Sequence, residues 1–136
     1  MACSDAACCI KPSHELSDFD MMARGRKVAL AGYSDGGGLA NYLASYRSEQ
    51  VRAVISYAGR LQRPVIKTGH KYPVLDVWNE HDNRMNSRQH QHMETEYKIQ
   101  KHYVEPVHLQ NGWSHWGGWD ASVNDRVLAF LRETQR

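Results

Sequence analysis

Short apolar runs alternate with stretches of helical periodicity along the chain. Lys27-Val28-Ala29-Leu30-Ala31-Gly32 is apolar, brief and closed by glycine, which predicts a buried strand. Val51 to Ala58, Tyr72 to Trp78 and Val104 to Leu109 repeat the pattern, and Ala6 to Ile10 can form a further short strand. Between them lie helical segments. Ser13 can cap a helix running to Arg24, with Leu16, Phe19 and Ala23 on one face, Glu15 in the first turn and Gly25 after the last. Residues 35–47 place Leu39, Leu43 and Tyr46 on one side, and residues 84–101 are polar and helix-compatible. Asp120 can cap a last helix to about Arg132, whose Val123, Val127, Phe130 and Leu131 form an apolar stripe. Strands alternating with helices predict an α/β fold, a three-layer sandwich around a mostly parallel sheet of about four strands. Residues 60–71 read as a basic loop with Pro64 and Gly69, the longest insertion, so no large cap domain is expected.

Composition narrows the function classes. The chain has 136 residues, enough for one domain with a single core. A net charge of +2 and the lack of a basic, aromatic-interleaved stripe argue against a nucleic-acid partner. No apolar run approaches the roughly 20 residues that span a bilayer, so no membrane partner is expected. The start, Met1-Ala2-Cys3-Ser4-Asp5, lacks the pattern of a secretory signal, and a cytoplasmic location is expected. Cys3, Cys8 and Cys9 are the only three cysteines and read as reduced thiols. His90 and His92 fall on different faces of the polar helix and read as solvated; neither a metal nor a cofactor is expected.

The chemistry is carried by Gly32-Tyr33-Ser34-Asp35-Gly36, which matches the nucleophile-elbow pattern G-x-S-x-G. The pattern is short, but a strand ends immediately before it and a helix begins immediately after. Such a turn forces the serine backbone into an unfavourable region and needs small neighbours, here Gly32, Gly36, Gly37 and Gly38. It sets the Ser34 hydroxyl at the carboxyl end of the sheet beside a helix N-terminus, whose N–H groups can stabilise developing negative charge. Glycine-rich strand-to-helix turns also cradle phosphate, but neither G-x-G-x-x-G nor the lysine-bearing phosphate loop is present. A serine nucleophile needs a base, and the base needs an orienting acid. Asp82 follows the third strand at the distance of an acid loop; Asp76, inside the strand, and Glu80, earlier in the loop, compete with it. His115 follows the fourth strand in a glycine-flanked loop, one of eight histidines and the one placed to serve as base.

Three segments then resemble a family. "VALAGYSDGGGLANYLA" looks like the nucleophile region of α/β-hydrolases of the esterase and depolymerase kind, "YPVLDVWNEHDNRM" like their acid loop and "GWSHWGGWD" like their histidine loop. The match runs from residue 27 to about 132 and resembles the carboxy-terminal, catalytic half of such enzymes. The chain then reads as a single truncated domain over 1–136, with an N-terminal segment and helix over 1–26 and the catalytic part over 27–136. The resemblance implies a Ser34–His115–Asp82 triad and the Asp35 backbone N–H as one oxyanion donor. The loop that usually supplies the second donor precedes the elbow in the family and has no counterpart here. Loss of one donor costs about 100- to 1000-fold in rate in a known serine hydrolase. The nucleophile strand, usually central, becomes an edge that needs cover; either residues 6–10 pair with it or the chain self-associates, and a symmetric homo-oligomer is the expected cover.

The expected activity is hydrolysis of small or short-chain carboxylic esters through an acyl-enzyme. Trp113, Trp116, Trp119 and Tyr33 can line an apolar pocket or pack in the core. Thioesters and amides remain open as substrates, and so does a non-catalytic role as an assembly or binding module.

Overall fold

The computed structural model describes residues 12–61, 69–110 and 121–135. It runs α1 (Pro12–Ala23), β1 (Val28–Tyr33), α2 (Asp35–Tyr46), a 3-10 turn (Ser48–Gln50), β2 (Val51–Tyr57), β3 (Val74–Asn79), α3 (Ser87–Ile99), β4 (Val104–Leu109) and α4 (Ala121–Glu133). The four strands form one sheet in the order β1-β2-β3-β4, and every neighbouring pair is parallel. The expected segment Ala6–Ile10, the three cysteines and most of the basic loop, residues 62–68, lie outside the described residues.

Helices cover both faces. Phe19 and Ala23 of α1, Ala40 and Ala44 of α2, and Met93 and Tyr97 of α3 pack with Val51, Val54, Val74 and Val104 on one side. Val123 and Phe130 of α4 pack with Ile55, Tyr57, Leu75 and Val77 on the other. Strands enclosed by both layers bury nearly every side chain, which is why β2 and β3 read as continuous apolar runs rather than alternating ones. The outer strands are less covered, and every residue of β1 keeps some exposure. Among the described residues no helix is long and apolar enough to cross a membrane.

Local chemistry sets the boundaries. The third strand begins two residues later than expected: Pro73 has no N–H to give a ladder, its carbonyl accepts from the Val54 N–H at 2.9 Å, and the Tyr72 N–H meets His102 Nδ1 at 3.3 Å. α3 starts at Ser87 because Asn86 closes a capping box, its side chain accepting from the Gln89 N–H and the Gln89 side chain accepting from the Asn86 N–H. α1 is tied to α2 by Asp20, which accepts from Arg47 Nε at 2.8 Å and from its Nη2 at 3.1 Å.

The solvated reading of His90 is wrong. His92 is exposed, but His90 is fully buried against the sheet. With Met93 and Tyr97 it forms the buried stripe of α3, at the spacing of one helical face.

Candidate active site

β1 delivers Ser34 at its end, and the backbone there is strained: Ser34 has φ 55° and ψ −118°. A non-glycine residue in that region costs about 1–3 kcal/mol and persists only where the surroundings enforce it. Here the enforcement is contact. A Cβ on Gly32 would fall 2.0 Å from the Gly36 carbonyl oxygen, and one on Gly37 would fall 2.9 Å from Gly59 Cα. The strand end, the first turn of α2 and the exit of β2 therefore touch backbone to backbone. Gly36 has open space where a Cβ would stand, so the expectation that it supplies room for close approach is corrected. Gly59, outside the motif, does have that role: its Cβ would lie 2.3 Å from Ser56 Oγ.

Ser34 occupies the N-cap position of α2, yet its hydroxyl makes no capping bond to the helix. Serine at that position ordinarily bonds back to the second or third helical N–H. Asp35 opens the helix, so its N–H belongs to the first turn, where amides have no helical acceptor. Its carboxylate is on an exposed residue.

Because all four strands are parallel, their carboxyl ends share one rim. Hydrogen bonds extend the sheet past those ends. The Ser34 N–H donates to Tyr57 O at 2.8 Å, the Ala58 N–H to Val77 O at 2.8 Å, and the Glu80 N–H to Leu109 O at 3.1 Å. Nucleophile turn, β2 exit, acid loop and β4 end are thus laced together. Ligand sites of open α/β sheets form along this rim.

Asp82 lies on that rim in the loop between β3 and α3 and is buried. Its Oδ1 accepts from the N–H groups of Arg84 at 2.8 Å and Met85 at 2.9 Å, and its own N–H donates to Asn79 O at 3.0 Å. Tyr33 and Tyr57, at the ends of β1 and β2, lie with their rings 5.1 Å apart. Burial raises both phenol pKa values, and the charge of Asp82 adds to the rise in each. The Asp82 carboxylate is therefore felt at the residue adjoining Ser34.

The two competing acids separate. Asp76 is fully buried in β3 and bonded to His90; Glu80 is partly exposed, 3.4 Å from both His81 and His108. Neither sits as Asp82 does, locked by two backbone donors beside the elbow. His115, Trp113, Trp116 and Trp119 lie in residues 111–120, outside the described residues.

Solved structures with this fold are found among esterases. The structure of esterase PE8 matches with a TM-score of 0.72 at 21% identity, covering 88% of this chain and 56% of that one. SOBER1 of Arabidopsis thaliana matches with a TM-score of 0.77 at 13% identity, covering 92% and 63%. Est1E from Butyrivibrio proteoclasticus matches with a TM-score of 0.71 at 14% identity, covering 90% and 68%. The chain thus spans less than two thirds of the first two structures, and at these identities the likeness concerns the fold. No curated protein sequence matches the chain. The model of the dienelactone hydrolase family matches residues 15–115, from the helix ahead of the elbow to beyond the end of β4, and the chain belongs to that family.

Proposed function

We propose that the chain is a serine hydrolase acting on small or short-chain carboxylic esters. The observation that carries this reading is the strained Ser34 at the rim, held there by contact between Gly32 and the first turn of α2. Family membership and esterases of the same fold support it.

In the proposed mechanism Ser34 Oγ attacks the ester carbonyl carbon while His115 takes its proton. The carbonyl oxygen becomes an oxyanion facing the Asp35 N–H. Collapse of that intermediate breaks the bond to the alkoxide, which leaves with the proton from His115. Water, deprotonated by the same imidazole, then releases the acid and restores Ser34. Asp82 keeps the imidazole in the required tautomer and stabilises the imidazolium. Its two backbone hydrogen bonds fix the carboxylate for that task. Tyr33, Trp113, Trp116 and Trp119 would line the acyl pocket.

The chain spans only 56% of the PE8 structure, and this favours one second reading: a hydrolase module completed by other segments or by another copy. In that reading the second oxyanion donor comes from outside residues 1–136. A second copy against β1 is the partner proposed here.

The test is turnover of a short-chain chromogenic ester by the chain and by Ser34→Ala. Ser34→Ala should lose at least about 10,000-fold in kcat. The rate of the unaltered chain should rise with pH through about 6 to 7, as a neutral histidine base requires. Equal rates for the two proteins would end the enzyme reading.

A further inference from the structure

Asp76 is the one charged residue in β3, and His90 answers it from α3. Both are fully buried, and Nδ1 of His90 stands 3.1 Å from each carboxylate oxygen. The imidazole stacks on Trp78 at 5.2 Å with 10° between planes, and Trp78 stacks in turn on His108 at 4.1 Å. Among the described residues, Nε2 of His90 and Nε1 of Trp78 meet no hydrogen-bond partner. One two-pronged bond and one stack therefore hold the ring. Burial pushes the Asp76 carboxyl up to about 7; the His90 bond opposes the rise, and Glu94, facing it from the next turn of α3, adds to it. Tyr97 is the further titratable group of α3 that feels Asp76, and His108 lies beyond Trp78 on the sheet side. Buried polar pairs of this kind contribute little net stability but impose direction on whatever they join.

What they join here is the frame of the acid loop. Residues 80–86 hang between the end of β3 at Asn79 and the start of α3 at Ser87. Asn86, Ser87, Arg88 and Gln89 do not reach the core, so His90 is the first buried residue of α3. Asp76 lies three residues before the strand ends. The pair is thus the tie between strand and helix at the mouth of the loop.

We propose that the Asp76–His90 bond is a positioning element for Asp82, pinning the first turn of α3 to β3 and so setting the span that the acid loop must bridge. The inference rests on Asp82 acting as the orienting acid for its catalytic part, while its structural part stands without that reading.

Hydrogen exchange and kinetics on the full chain test the two parts separately. In Asp76→Ala the amides of Arg84 and Met85, which donate to Asp82, should lose about tenfold or more of their protection, while Ile55 and Tyr57 of β2 keep theirs. Asp76→Asn still accepts from His90 and should restore the protection. Asp76→Leu with His90→Phe keeps volume and stack without the bond, so it reports even if the alanine variant does not fold. Unchanged protection at Arg84 and Met85 in either folded variant overturns the proposal. On turnover, kcat in Asp76→Ala should fall about 10- to 100-fold with little change in KM. The acid limb of its pH profile should move to lower pH, because an imidazolium deprived of Asp82 deprotonates more readily; Asp76→Asn should return it. A purely structural role would lower the active fraction and leave that midpoint in place. Lost protection with an unmoved midpoint would uphold the loop tie and overturn Asp82 as the acid.

Discussion

The two glycines of G-x-S-x-G are interchangeable in the pattern and unequal in the molecule. A methyl group on Gly32 would stand 2.0 Å from the Gly36 carbonyl oxygen and 2.6 Å from the Gly37 nitrogen, so strand and helix would have to part. A methyl group on Gly36 would meet nothing within 4 Å, and alanine suits a helix better than glycine does. Gly32→Ala should therefore destabilise the chain by more than about 3 kcal/mol, at the severe end of single substitutions. Gly36→Ala should leave stability within about 1 kcal/mol of the starting value, or raise it. Urea unfolding of both variants reads the difference, and similar losses would contradict the packing at the elbow. The same contact accounts for Ser34 at φ 55°, because a strand and helix this close leave the joining residue no relaxed conformation.

Among the elements, the strands were the most legible. β1, β2 and β4 lie within a residue of the expected boundaries, and β2, enclosed on both faces, has the near-continuous apolar sequence that such strands need. The elbow was legible because its glycines mark a contact that side chains forbid. α3 was legible as a helix and misread in its chemistry. Its buried face is His90, Met93 and Tyr97, and a count of apolar positions passes over a histidine in the stripe. The available signal was its partner: one carboxylate inside Val-Leu-Asp-Val-Trp-Asn has to find a donor. Gly59 could not be found from spacing, because its constraint comes from Ser56 Oγ together with Gly37 of α2, which the fold brings against it. The buried pair has a measurable consequence for folding. In the unfolded chain an aspartyl carboxyl titrates near about 3.9, and in the folded chain that of Asp76 titrates at about 7. Between those values the folded state holds a proton that the unfolded state has released, so this carboxyl makes stability fall as pH rises from about 4 to about 7. Urea unfolding across that range should show the decline, and Asp76→Asn should flatten it relative to the unaltered chain. A slope identical in both would mean that Asp76 is ionised throughout.

At the scale of the whole molecule the two sheet edges are built differently. β4 carries Pro106, which offers no N–H, and an exposed His108, while its Glu105 is bound by Arg126 of α4. These are devices that keep an edge from pairing. β1 is Val-Ala-Leu-Ala-Gly-Tyr, with neither charge nor proline, and among the described residues it pairs with β2 alone. Beside it Phe19, Met22, Val28, Leu30, Leu39 and Leu43 line an apolar groove of about 490 Å³, and Met22 is 81% exposed. The Ser34 N–H points to β2, so alternation along the strand turns the backbone groups of Ala29 and Ala31 outward. A second copy laid antiparallel about a two-fold axis at Ala31 would pair those groups. It would also bring the exposed Lys27 before each strand to the exposed Asp35 after its mate. Such ion pairs add little energy but favour one register. The proposed second copy therefore predicts a dimer by light scattering at micromolar concentration. It also predicts that Ala31→Lys, at an exposed strand position, gives a folded monomer with an unchanged far-ultraviolet spectrum. A monomeric parent chain would remove the second copy as occupant of this edge and leave it to residues 6–10 or to the segments by which the longer structures exceed this chain.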